Sequence, residues 1–382
     1  MKSDNNIAAF FALLRAGLWE KKVQLVPFGE IDFSALLDLA EEQSVVGLLA
    51  AGIEYVVDKK PQKKDVLQFI GRTVQLEQRN QAMNYFIGVM VEKMREAGIY
   101  TLLVKGQGVA QCYERPLWRS CGDVDFFLSD ENYEKAKEFL KPLASSVEEE
   151  HVREKHLGLS IDPWVVELHG SLYSGLSSRV EKELDDVYLD TFYRGNVRSW
   201  MNDKVLVFEL AVENGVFYVF THILQHFYKG GIGLRQICDW CRLLWTYRDK
   251  MNVSILERRL CRAGLMSEWK AFGALAIEYL GFPKGSMPLL DVRSKKEDVR
   301  WRKKADRIME FILKSGNMGH KRGSWLMEHD SWLSRQYVVR KAFSMFRRMG
   351  DLINHARIFP LDSLRFFPRI MFNGVRSAMK GE

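Results

Sequence analysis

Arg119 to Leu128 reads RSCGDVDFFL. Within it Asp123 and Asp125 stand two apart in an apolar run, Val124, Phe126, Phe127 and Leu128, of the kind that forms a strand. Successive side chains of a strand alternate faces, so both carboxylates point one way while Val124 and Phe126 point into a core. Carboxylates side by side on one face repel each other and lose hydration. A divalent cation is the common compensation, and oxygen-only ligands on a rigid strand suit Mg²⁺ or Mn²⁺. The plainer reading is a strand whose solvent face carries two acids, since short acidic motifs recur by chance.

Working outward, Tyr100 to Val104 (YTLLV) is a short β-rich run that ends at Lys105 and Gly106, and a helical stretch, Gln107 to Tyr113, follows. Such a turn leaves backbone N–H groups free to hold phosphate oxygens. A loop with Pro116 leads into the acidic strand. Beyond it, Ser129 and Asp130 offer a cap for a helix from Asn132 to Leu140, which Pro142 closes. Ser145 to His151, Lys155 to Ile161 and Trp164 to Leu172 then read as alternating segments. The last contains WVVELH, in which Val166 and Leu168 face away from Glu167. If that strand lies beside the first, Glu167 becomes a third carboxylate of the cluster. His169 shares its face and is expected to hydrogen-bond the carboxylate or orient a ligand.

Residues 1–97 predict an amino-terminal helical region: one face through Ile7, Phe10, Phe11, Leu13 and Leu14, one or two helices over Ile31 to Val57, and a long helix from Pro61 to Ala97 ended by Gly98. Residues 98–175 hold the sheet unit. Residues 176–382 predict helices only: Val205 to Tyr228, Leu234 to Tyr247, Val253 to Leu265, Ser267 to Leu280, Val299 to Leu313 and Gln336 to Met349. The expected fold class is α+β, a small mixed sheet between an amino-terminal and a larger carboxyl-terminal helical region.

At 382 residues and 47% hydrophobic content the chain can bury a sizeable core, and disorder is not expected. The net charge of +7 is uneven, for 21 Lys and Arg stand against 10 Asp and Glu from Asp291 onward, leaving −4 for the first 290 residues. The basic character therefore belongs to the last helices, not to the acidic strand. Five cysteines argue against a disulfide framework. Cys238 and Cys241 form a CDWC inside a helical pattern, with no second pair to complete a zinc site, so buried reduced thiols are expected. The first residues lack the order of a signal peptide, and no run of about eighteen apolar residues offers a spanning helix. A cytoplasmic protein is expected.

The combination of VKGQGVA at 104–110, RSCGDVDFFL at 119–128 and ELH at 167–169 resembles the nucleotidyltransferase superfamily that includes DNA polymerase β, and most closely a branch of uncharacterised bacterial nucleotidyltransferase-like proteins. GLRQICDW, with Arg235 and Asp239, resembles that branch's helical signature. The resemblance implies Mg²⁺-dependent transfer of a nucleoside monophosphate from an NTP to a hydroxyl of a small molecule or protein. It makes Asp123, Asp125 and Glu167 the metal-holding and catalytic residues. Lys105, Gly106, Gln107, Arg119 and Gly122 would lie against the nucleotide, and His169, His222, Arg235 and Asp239 would line the cleft or support it. Gln107 departs from the Gly or Ser of the wider superfamily, and Glu167 stands where many relatives have Asp.

Each residue has a plainer role beside this one. Lys105 and Arg119 could be surface charges at strand and loop ends. His222 and His226 have the spacing of a zinc pair, but HILQH lacks the Glu of a metalloprotease motif, so they line the cleft or sit in the core. Arg235 and Asp239, four apart, could form a helix ion pair. The tail from Phe359 to Met379 alternates aromatic and basic residues (Phe366, Phe367, Arg369, Phe372, Arg376), which suits an anionic membrane surface, a protein partner or the protein's own helices. The basic run Arg300 to Arg307 could meet nucleic acid, but no aromatic-interleaved motif supports that, so no strong nucleic-acid signal is present. The competing functional reading is a non-catalytic nucleotide-binding or protein-interaction module with a degenerate core.

Overall fold

The computed structural model describes residues 2–229, 231–291, 294–316 and 350–369. Four helices come first, α1 (Lys2–Trp19), α2 (Phe33–Glu42), α3 (Val46–Glu54) and the 34-residue α4 (Lys63–Glu96). The sheet unit follows as β1 (Thr101–Leu103), α5 (Gly106–Ala110), β2 (Asp123–Leu128), α6 (Asp130–Leu140), β3 (Ser146–Val147), β4 (His156–Ile161) and β5 (Trp164–His169). Then come α7 (Ser178–Phe192), β6 (Val197–Asn202), β7 (Val205–Leu210), α8 (Val212–Lys229), α9 (Leu234–Thr246), α10 (Val253–Ala263), α11 (Met266–Glu278) and α12 (Lys295–Ser315). Residues 350–358 and 360–369 are helical.

The strands form one seven-stranded mixed sheet in the order β3-β4-β5-β2-β1-β7-β6. β2 runs parallel to β5 and β1 parallel to β7, while the other neighbours are antiparallel. Strand alternation sends side chains to two apolar layers. Val124, Phe126 and Leu128 join Val166, Leu168 and Val207 on one face, under Met83, Ile87 and Met94 of α4 and Tyr133 and Leu140 of α6. Phe127, Leu102, Val104 and Leu210 belong to a larger layer with α1, α3, α8, α9 and α11. Within it α1 and α3 cross backbone to backbone. A Cβ at Gly52 would fall 2.1 Å from the Leu13 carbonyl oxygen and one at Gly17 1.9 Å from that of Leu48, so both positions require glycine.

The expected helices and strands are largely present, and the class is mixed α and β with helices on both sides of the sheet in the chain. Ser129 caps α6 through its hydroxyl. The expectation of helices alone after residue 176 is corrected by β6 and β7. VLVFEL at 205–210 pairs with β1 on one side and β6 on the other, and Asp203, at φ 52°, turns the hairpin. The apolar run passes from β7 into α8 with neither Gly nor Pro between them, so one long helix and a strand followed by a helix have the same apolar density. The strand expected over Ser145 to His151 is reduced to the two residues of β3. Four cysteines are buried and free as expected, whereas Cys261 is exposed.

The described part of the tail packs on the protein itself. Phe359 and Phe366 are fully buried, the Phe366 ring lies 4.9 Å from that of Tyr228, and Arg365 donates to the carbonyls of Ala263 and Gly264. The helix expected over Gln336 to Met349 and the tail residues Phe372 and Arg376 lie outside the described residues. Among the described residues no helix is long and apolar enough to cross a membrane.

Candidate active site

The acidic strand occupies the middle of the sheet. In the parallel register of β2 and β5, Asp125 stands directly opposite Glu167 and Asp123 opposite Val165. One carboxylate oxygen from each of Asp123, Asp125 and Glu167 lies within 4.8 Å of the other two. Asp125 is 2% exposed, and its Oδ1 accepts from Lys105 Nζ at 2.7 Å and lies 3.0 Å from His169 Nε2. Glu167 Oε2 lies 3.3 Å from His169 Nε2 and 3.3 Å from His156 Nε2.

Lys105 reaches Asp125 because of an unusual turn. Its φ is 64° and that of Gly106 is 50°, so the chain reverses at the end of β1 through two consecutive left-handed residues. Only Gly takes such angles freely, and holding Lys105 there costs roughly 1–3 kcal/mol. The turn leads into α5 and leaves Gly106 bare beside Cys121 and Asp123; a Cβ at Gly106 would meet Cys121 Sγ at 3.3 Å. Gly122 is exposed and is not among the residues that line the cleft. Gln107 points elsewhere: its Nε2 donates to Asn80 Oδ1 at 2.8 Å, inside the α4 layer. Its side chain is thus part of the core, and the turn's backbone is what meets the cleft.

The charges in this cluster act on one another. The neighbouring Asp125 is the largest influence on Asp123 and raises its pKa, with burial adding to the effect and Lys105 opposing it. Burial alone would raise Glu167, but hydrogen bonds from His156 and His169 outweigh it and hold the carboxyl well below its ordinary range. Burial likewise opposes charge on His169 and Lys105, yet the carboxylates around them keep both above their ordinary values. Three acids therefore face one ammonium and one imidazole whose charged form they favour.

The far wall of the cleft is α8. Tyr218, His222 and His226 recur at helical spacing and face the acids across a cavity of about 300 Å³. His226 Nε2 lies 3.0 Å from His222 Nε2, so one ring donates and the other accepts. Burial and the Lys105 charge push His222 well below its ordinary pKa, and burial takes His226 down to about 4, so both rings are neutral at pH 7. Burial also raises Tyr218 to about 12.

Arg119 and Asp239 meet beside this cavity, where they line a smaller recess with Gly106, Asp123 and Arg235. They form a buried two-pronged pair, with Arg119 Nε 3.0 Å from Oδ1 and Nη2 2.6 Å from Oδ2, and Tyr113 adds a hydroxyl donor at 2.7 Å. The Arg119 guanidinium is thus engaged by Asp239 and is not a surface charge. Arg235 does not take up the four-apart pairing; its Nη1 donates to the Ser120 carbonyl at 3.0 Å, and its buried Nε has no acceptor among the described residues. Lys105, Gly106, Arg119, Asp123, Asp125, Glu167, His169, His222, Arg235 and Asp239 therefore border two adjoining cavities.

Sequence reasoning missed His156, Tyr218, Tyr113 and Asn80. His156 was within reach, because His156, Gly158 and Ser160 alternate as the polar face of β4. Asn80 carries no local signal: it sits in mid-helix, and its amide donates to the carbonyls of Leu117 and Arg119, fixing the loop before β2.

No curated protein and no solved structure matches this chain. The family model described as "Uncharacterised nucleotidyltransferase" matches residues 29–281, a span that runs from α2 past α11 and takes in the whole sheet and both walls of the cleft. Over well more than half of its length, then, the chain is one of these proteins: it belongs to the uncharacterised nucleotidyltransferase family.

Proposed function

We propose that this cleft transfers a nucleoside monophosphate from an NTP to a hydroxyl acceptor, with Mg²⁺ or Mn²⁺ as cofactor. The observation that carries the reading is the meeting of Asp123, Asp125 and Glu167 within 4.8 Å, from adjacent strands and at the edge of a cavity. The donor set fits a hard divalent ion: three carboxylates, with Asp123 raised chiefly by the negative charge of Asp125, so that added positive charge relieves the repulsion. Bound to these three residues, the ion supplies charge to phosphate oxygens and lowers the pKa of the attacking hydroxyl.

The chain's own groups do the rest. Lys105 carries a protonated amine at the cavity edge and attracts phosphate. Gly106 leaves the floor of the recess without a side chain, so phosphate can approach the backbone. Arg235, with its Nε unpaired, adds a second cation there. The Arg119–Asp239 pair sets the position of the loop that enters β2. His222 and His226 stay neutral and share one proton between their Nε2 atoms, so the acceptor side of the cleft is polar without repelling the metal.

One observation favours a second reading, a nucleotide-binding or interaction module without turnover. Asp125 Oδ1 already has Lys105 and His169 within hydrogen-bond distance, internal partners with which a metal must compete. Titration calorimetry with each NTP, with and without Mg²⁺, on wild type and Asp123→Asn separates the readings, together with an assay for released pyrophosphate. Metal-dependent binding with pyrophosphate release supports the enzyme. Binding without release supports a nucleotide-binding module, and no binding of any NTP removes the enzyme and leaves the interaction module.

A further inference from the structure

We propose that His156, Glu167 and His169 form a second cation site, built for a transition-series divalent ion such as Zn²⁺ or Co²⁺. The inference goes beyond nucleotidyl transfer and does not depend on it. β4 and β5 are antiparallel neighbours, with His156 opposite His169 and Gly158 opposite Glu167. Strand alternation therefore sends both imidazoles and the carboxylate to one face. Each ring presents its Nε2 to the same oxygen, Glu167 Oε2, at 3.3 Å. The ring centroids are 4.9 Å apart, and the three ligand atoms lie within 4.8 Å of one another.

These separations suit an ion. Two ligand atoms at the usual Zn–N and Zn–O distances, on a tetrahedron, are roughly 3.4 Å apart. The two contacts at Glu167 Oε2 already have the length of such an edge.

The donor set distinguishes this site from the carboxylate cluster beside it. Mg²⁺ takes oxygen ligands and gives up its waters reluctantly, whereas imidazole with one carboxylate suits Zn²⁺, Co²⁺, Fe²⁺ or Ni²⁺. Three protein ligands are also the number found in open zinc centres, where the remaining position belongs to water or a ligand. Here that position faces the cavity of about 300 Å³ shared with His222 and His226. Glu167 is common to both donor sets, so a transition ion at the histidines and a hard ion at the aspartates would be held side by side. His156 and His169 belong to the second set alone, and His169 also touches Asp125, so His156 is the residue to vary.

Cobalt titration of the full chain in excess Mg²⁺, followed by visible absorption, tests this. Wild type is expected to develop ligand-field bands that saturate at one Co²⁺ per chain. His156→Ala should weaken that binding about tenfold or more, while Asp123→Asn should retain it. His156→Cys gives a readout that does not rest on loss: a thiolate at this position adds a sulfur-to-cobalt charge-transfer band if the side chain reaches the ion. Identical titrations of wild type and His156→Ala, absence of the charge-transfer band from a folded His156→Cys, or loss of Co²⁺ in Asp123→Asn would overturn the assignment. NTP binding on the same samples keeps the two proposals apart, since Co²⁺ binding without NTP binding sinks only the transferase reading, and the reverse sinks only this one.

Discussion

Arg119 and Asp239, 120 residues apart in the chain, hold each other in a buried two-pronged ion pair that locks the loop before β2 to α9. Removing one partner of such a pair leaves an uncompensated charge in the interior. Asp239→Ala is expected to destabilise the protein by about 3–5 kcal/mol, and an Arg119→Met, Asp239→Leu double variant by less. Urea denaturation of the three proteins checks this; a double variant no more stable than the single one would show that the pair's geometry, not the stranded charge, carries the cost.

Asp123 works against the folded state. Its pKa is raised in the fold, so the stability present below the unfolded value of 3.8 is lost as pH rises through the folded value, and at neutral pH the ionised group is a net cost. In chelator-treated protein Asp123→Asn should therefore raise the melting temperature, by an amount on the order of 2 °C. Adding Mg²⁺ should stabilise wild type and leave the variant unmoved. A lower melting temperature for the variant in chelator would contradict the electrostatic account.

Glu268 provides a pH signature outside the residues that line the cleft. It is fully buried on α11, accepts from the Tyr228 hydroxyl at 3.2 Å, and has its Oε2 without a hydrogen-bond partner among the described residues. Burial, with Asp362 adding, pushes its pKa up to about 8 from 4.5. A group raised in the fold loses stability as pH climbs between those two values. The urea midpoint should fall over that window, and Glu268→Gln should flatten the fall. An unchanged slope would place the titration elsewhere.

The described tail tests its own docking. Phe366 is fully buried against Tyr228, and Phe366→Ala should cost about 3–5 kcal/mol in a denaturant titration. A change under about 1 kcal/mol would mean that residues 360–369 spend much of their time off the body, as a segment free for a membrane or a partner would.

The sheet's central motif was legible because its signals are local. Alternation in DVDFFL puts two acids on one face, and WVVELH repeats the device with Glu167 and His169, so only the adjacency of β2 and β5 had to be supplied. The rest lies in pairings that leave no local trace. Four-residue spacing offered Arg235 as the partner of Asp239, but the planar fork of Arg119 fits both carboxylate oxygens from another element and is the pairing found. Gln107 looked like part of a phosphate turn, yet Asn80 of α4 takes its amide into the core. The β6–β7 hairpin was hidden because a half-buried strand that runs without punctuation into a buried helix carries no change of apolar density.

That hairpin also decides where the chain can be cut. β7 runs parallel to β1, so both strands end on the side of the sheet where Lys105 meets the acids and where α8 departs. A protein stopped near residue 176 would keep every carboxylate but leave β1 as an open edge, a row of unpaired N–H and C=O groups ready to recruit another chain. It would also lack the wall that carries Tyr218 and His222. The smallest fragment in which β1 is covered ends beyond Leu210, and the smallest that keeps the α8 wall ends beyond His226, so expression pieces designed around the acidic motif alone are expected to aggregate.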